Sequence, residues 1–193
     1  MSSPFTLPSR TVQDMVGGDW TKSNTGFRGY PDSWITAGAG RGVGKLGTRA
    51  SRAPLEVHVD LSGGIVAPWP TGKVRTVLQW SLKHEGHLTR LDCALDDRNS
   101  CVPLSTIRQA IDVGQCVTRA DRMQSISSSS IHKAIPSGET LYLGSPHSQT
   151  LIRIYDKRLG LQSKEREDWQ EYGIRWELEL KKDRAQVCGQ ALS

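Results

Sequence analysis

Three shortages narrow the field. The chain has only four cysteines, Cys93, Cys101, Cys116 and Cys188, with no CxxC pair and no zinc-like spacing. A disulfide-stapled or zinc-ribbon scaffold is thereby excluded, and the thiols read as reduced, in a cytoplasmic protein. No apolar run reaches membrane length and no secretory signal opens the chain, so no membrane partner is expected. Familiar site motifs are broken as well. Gly38-Ala39-Gly40-Arg41-Gly42-Val43-Gly44-Lys45 runs into Leu46, where a phosphate loop needs the hydroxyl of Ser or Thr to hold magnesium. A flexible basic hairpin is the better reading. His84-Glu85-Gly86-His87 lacks the HExxH spacing and reads as a turn.

What is present fits a globular chain. At 193 residues it is long enough for one domain with a real core. Hydrophobic residues make up 36% and charged ones 23%, with a net charge of +5, a moderate basic excess that suits a polyanionic partner. Residues 1–25 read as a flexible lead-in and 26–193 as the folded domain. Two helices are expected. One covers about Lys73 to Lys83, with Val74, Val77, Leu78 and Leu82 at helical spacing; the other follows Pro103, with Leu104, Ile107 and Ile111 on its apolar face and Gly114 at its end.

Four stretches alternate with the period of a strand. Leu55 to Ser62 puts Val57, Val59 and Leu61 on one side, with Glu56, His58 and Asp60 on the other. Leu88 to Asp97 opposes Leu91, Cys93 and Leu95 to Arg90, Asp92 and Asp96. In Thr150 to Lys157, Ile152 and Ile154 face away from Arg153, Tyr155 and Lys157. Gly173 to Lys181 buries Ile174, Trp176, Leu178 and Leu180 and turns Arg175, Glu177 and Glu179 outward. Helices mixed with strands in this way give an α+β fold: one mainly antiparallel sheet, helices on its apolar face, and an open polar face. If the last three strands share that sheet, acids, guanidinia and a phenol meet on one face.

Three segments, TRLDCALDD, ETLYLGSPHSQTLIRIYDK and IRWELELKK, resemble the replication initiation factor family. Gly29-Tyr30-Pro31-Asp32-Ser33-Trp34 and Val57 to Gly63 resemble its early strands, so the likeness runs over residues 26–182 in order. Members are tyrosine-dependent DNA-nicking initiators of rolling-circle plasmids, filamentous phages and some integrative conjugative elements. The resemblance implies a sheet related to the palm-like fold of rolling-circle initiators, with more chain after residue 183. It also implies one-strand cleavage at an origin through a covalent 5′-phosphotyrosine, on single-stranded or cruciform-extruded DNA, with a host helicase as an optional further partner.

On that reading Tyr155 is the nucleophile. Its unperturbed pKa is near 10, so Arg153, Lys157 and a metal are expected to favour the phenolate. Asp92, Glu177 and Glu179, with Asp96 in reserve, offer hard oxygens to Mg2+ or Mn2+. No His-hydrophobe-His pair, the metal signature of the other large initiator class, occurs in the chain, which leaves any ion to the carboxylates, with His58 at the rim. Arg41, Lys45, Arg90, Arg119, Arg122 and Arg175 are candidate DNA contacts. Two alternatives stay open: a non-catalytic DNA-binding module whose acids are salt-bridged to Arg90 and Arg175, and a hydrolytic nuclease that uses the carboxylates without a covalent link.

Overall fold

The computed structural model describes residues 8–38, 42–50, 53–128, 138–162 and 167–193. The chain divides into two compact units, residues 1–85 and 86–192, each built on its own antiparallel sheet. The fold is α+β as the patterning implies, but the single sheet becomes two. Alternation sorts side chains between faces and carries nothing about which strands pair, so strands from different sheets read alike.

In the first unit, strands β1 (Trp20–Lys22), β2 (Asp32–Ala37), β3 (Val43–Ala50) and β4 (Ala53–Leu61) pair in sequence order. Val57, Val59 and Leu61 point into the core as their alternation requires, packed with Trp20, Trp34 and the fully buried Leu46. Three helices close this face: α1 (Pro8–Val16), α2 (Gly63–Val66) and α3 (Thr71–Lys83), which bring Val12, Val16, Ile65 and Trp80 to the same cluster. Within the segment read as a lead-in, Val12, Met15 and Val16 therefore form a helical apolar stripe with a partner. The segment read as a basic hairpin joins the antiparallel β2 and β3, with Lys45 and Leu46 inside β3 and Leu46 anchored in the core. His84 caps α3 and stacks on Trp80 at 4.5 Å, so the His-rich tetrad is the turn its spacing indicates.

The second unit holds β5 (Arg90–Asp97), β6 (Met123–Ser128), β7 (Gly138–Leu143), β8 (Thr150–Asp156) and β9 (Ile174–Lys181), in the spatial order β5-β9-β8-β7-β6. The Asp-rich strand is thus an edge, and β9 inserts between it and the tyrosine strand. Ile107 of α4 (Leu104–Asp112) packs on Leu141, Leu143, Ile154 and Ile174, with Leu141 and Ile154 fully buried. The helix keeps its register on the sheet through Arg108, 2.6 Å from Glu139. Gly144, at φ 105°, takes the left-handed step that ends β7 and starts the turn into β8. A short helix α5 (Lys157–Gln162) and a 3-10 turn (Glu167–Glu171) link β8 to β9, and α6 (Asp183–Leu192) packs on β5 and β9. Val117 is fully exposed, and β6 begins only at Met123. No helix among the described residues is long and apolar enough to cross a membrane.

Candidate active site

Register puts the polar side chains of the second sheet in rows. Asp92 of β5 lies opposite Glu179 of β9, and Asp96 opposite Arg175. Across the next pair, Glu177 faces Arg153 and Arg175 faces Tyr155. Then Arg153 faces Tyr142, and Tyr155 faces Thr140. Because Cβ atoms of directly opposed residues are about 5 Å apart, the three stretches separated in sequence become one patch.

Within it, the half-buried Tyr155 hydroxyl donates a 2.8 Å hydrogen bond to Glu177 Oε1. Burial, then the Glu177 charge and hydrogen bond, push its pKa up to about 12. Arg175, directly opposite Tyr155 in register, is the cation that opposes this rise. It grips Asp96 in a fork, Nε to Oδ1 at 2.5 Å and Nη2 to Oδ2 at 2.6 Å. That bond holds the Asp96 carboxyl below the usual carboxylate range and keeps Arg175 charged.

The two cations expected to flank the phenol act elsewhere. Strand β8 stops at Asp156, so Lys157 opens α5. Its ammonium lies 3.5 Å from Asp96 and 3.5 Å from the centre of the Tyr172 ring, and burial together with Arg175 lowers its pKa. Arg153 turns to the acids. Its Nη2 sits 3.4 Å from Asp92 Oδ2, 3.2 Å from Glu177 Oε2 and 3.4 Å from Glu179 Oε2. Arg90 adds contacts to Asp92 at 2.6 Å and Glu179 at 2.8 Å, and Lys181 reaches Glu179 at 2.6 Å. Glu179 is the deepest acid of the group, with a side chain only 6% exposed, which explains why several cations gather on it.

This arrangement bears directly on metal binding. Three hard carboxylates that converge on one point suit Mg2+ or Mn2+ in chemistry. As folded, however, that point holds a guanidinium nitrogen. Among the described residues no group of three or more His, Cys, Asp or Glu is set to hold a metal ion. The acids are ion-paired, with Arg90 in the role the salt-bridge alternative gave it and Arg175 on Asp96. His58 lies in the first unit, stacked on Tyr30 at 5.7 Å and tilted against Phe27 at 5.6 Å, and takes no part in the acid group.

Of the expected DNA contacts, Lys45, Arg119 and Arg122 are exposed, whereas Arg90 and Arg175 are engaged by carboxylates. Arg41 falls outside the described residues. The roles sequence reasoning missed are those of Arg175 as the cation beside Tyr155, Glu177 as the acceptor of the phenol's hydrogen bond, and Tyr172 as the ring under Lys157. The signal for the first two was cross-strand register, which a single sequence does not carry.

A rolling-circle replication initiator from Geobacillus stearothermophilus has the same fold, with a TM-score of 0.73 at 20% identity over 95% of this chain and 69% of that one. The family model described as "Replication initiation factor" matches residues 86–193, a range that begins where the second unit does. The chain belongs to the replication initiation factor family. It is also 29% identical over 117 residues to a Bacillus subtilis (strain 168) protein titled "Putative DNA relaxase NicK". That match takes in 58% of this chain and spans 32% of the relative's length.

Proposed function

We propose that the chain nicks and rejoins one DNA strand at a replication origin through a covalent phosphotyrosine on Tyr155. The observation that carries the reading is the Tyr155–Glu177 hydrogen bond in the family-matched sheet, with Arg175 beside the phenol. The phenol oxygen attacks phosphorus as its proton passes to Glu177; the P–O3′ bond breaks, and the departing 3′ oxygen takes a proton from water. The 5′ phosphate stays on Tyr155, which keeps the strand for later closure. A pKa near 12 makes the phenol a poor nucleophile at neutral pH by itself. Proton transfer to a carboxylate already at hydrogen-bond distance is the available activation.

A divalent cation belongs to this reading through the family, and when bound it would polarise the scissile phosphate. Asp92, Glu177 and Glu179 would hold it, and Arg153 Nη2 must first leave their midst. A face filled by its own ion pairs is also what a non-catalytic DNA-binding module would show, and covalent capture of DNA separates the two. Incubation with single-stranded origin DNA and Mn2+ is expected to give a denaturation-resistant protein–DNA complex, absent in Tyr155→Phe. Full nicking by that variant would remove Tyr155 as nucleophile; nicking without any covalent complex would point to hydrolysis.

A further inference from the structure

We propose that the outer face of the first sheet carries a binding site for an unpaired DNA base and its adjoining phosphate, with the Phe27 ring, Lys45 and Arg28 as its elements. This rests on the DNA-strand reading above but uses none of the Tyr155 site.

A shallow cleft of about 40 Å³ on this face is lined by Ser23, Thr25, Phe27, Ser33, Ile35 and Lys45, among others. The rim offers apolar surface from Phe27 and the exposed Ile35, while the hydroxyls of Ser23, Thr25 and Ser33 bond within the loop and hold its shape. The aromatic is carried on a built device. Phe27 and Tyr30 exchange two backbone hydrogen bonds of 2.9 Å around Arg28 and Gly29, whose φ angles of 49° and 87° make a tight hairpin turn. An arginine accepts a left-handed backbone there, which places its guanidinium at the tip. Gly47 leaves room for the turn to lie on the sheet; a Cβ there would come within 2.8 Å of Tyr30 Cβ.

Charge identifies the ligand as anionic. Arg28 Cζ and Lys45 Nζ each lie 5.6 Å from the Phe27 ring centre. Arg28 is ion-paired with the exposed Asp60, at 3.2 Å, a pair weak enough to exchange for phosphate. Asp60 is also opposite Lys45 in register, yet Lys45 makes no ion pair among the described residues. The wider distribution agrees. Residues 1–85 hold ten Lys and Arg against six Asp and Glu, while residues 86–193 hold fifteen against fourteen. Nearly all of the basic excess thus lies outside the family-matched unit, and polyanion attraction falls to the first one. An aromatic beside cations is the common platform for single strands.

The test uses the full chain and a short single-stranded oligonucleotide bearing 5-iododeoxyuridine. Photo-crosslinking is expected to mark the peptide that contains Phe27. Phe27→Leu is expected to weaken single-strand affinity about tenfold and erase the preference over duplex. Lys45→Gln, at an exposed site that leaves the fold intact, is expected to lower the slope of log affinity against log salt by about 1. Unchanged affinity in both variants, or cross-links confined to residues 86–193, would overturn the proposal. If Tyr155→Phe binds normally and Phe27 dependence persists while no covalent complex ever forms, the nicking reading alone falls. A normal complex with no effect of Phe27→Leu on affinity sinks this site alone.

Discussion

At the scale of single residues, the candidate active site is governed by who neutralises whom. Tyr155 is an acid whose folded pKa, near 12, lies above its unfolded value of about 10. The neutral phenol is therefore favoured by folding: its contribution is complete below pH 10 and disappears as pH climbs from 10 to 12. Integrated, the effect is on the order of 2 kcal/mol. Tyr155→Phe should flatten the stability loss in that window, measured by denaturant unfolding at several pH values. Glu177→Gln removes the neighbouring charge, so the Tyr155 phenol should titrate at lower pH in that variant by ultraviolet absorbance, while covalent-complex formation falls. Arg153 gives the sharper case. Replacing it with Met leaves Asp92, Glu177 and Glu179 with less positive charge among them. Arg153→Met should unfold more readily than the wild type without metal, by about 3 kcal/mol, and should bind Mn2+ at least tenfold more tightly by calorimetry. Equal affinity for both proteins would show that the guanidinium does not compete for that position.

Elements explain what a reader of the sequence can and cannot see. Strands β5, β8 and β9 declare their two faces plainly, because Leu91, Cys93, Ile152, Ile154 and Trp176 alternate with charge. The helices α3 and α4 are equally visible, the second through Pro103 and the Leu104–Ile107–Ile111 stripe. Helix α1 is not, since nine residues with three apolar ones show no more than a short polar segment until a sheet is there to cover them. Partner choice is hidden for the same reason. That Arg90 and Asp92 share one face of β5 follows from period two; that this face meets Glu177 and Arg153, and that Arg153 turns to the acids and Arg175 to Tyr155, depends on β9 lying between β5 and β8. The α4–sheet contact offers a check on how much one element holds. Ile154→Ala empties a fully buried position between α4 and the sheet and should lower stability by about 2–5 kcal/mol in chemical denaturation. Leu95, 68% exposed at the edge of the same sheet, should tolerate alanine with a change of about 0.5 kcal/mol or less.

Across the whole molecule, charge and chemistry are distributed unequally between the two units. The family-matched one holds the tyrosine and the acids at near-zero net charge; the other holds most of the positive excess. Non-specific DNA affinity should therefore fall steeply with salt, and charge-reversing Lys45 should shift that dependence far more than Leu95→Ala, as fluorescence anisotropy at several ionic strengths would show. The guanidinium among Asp92, Glu177 and Glu179 has a last implication. A face that brings its own counter-ion can finish folding in a cell short of manganese or magnesium, and an incoming ion or a backbone phosphate then becomes a rival to be admitted. On the proposed function, the substrate's own charge would have to draw the arginine away from the acids.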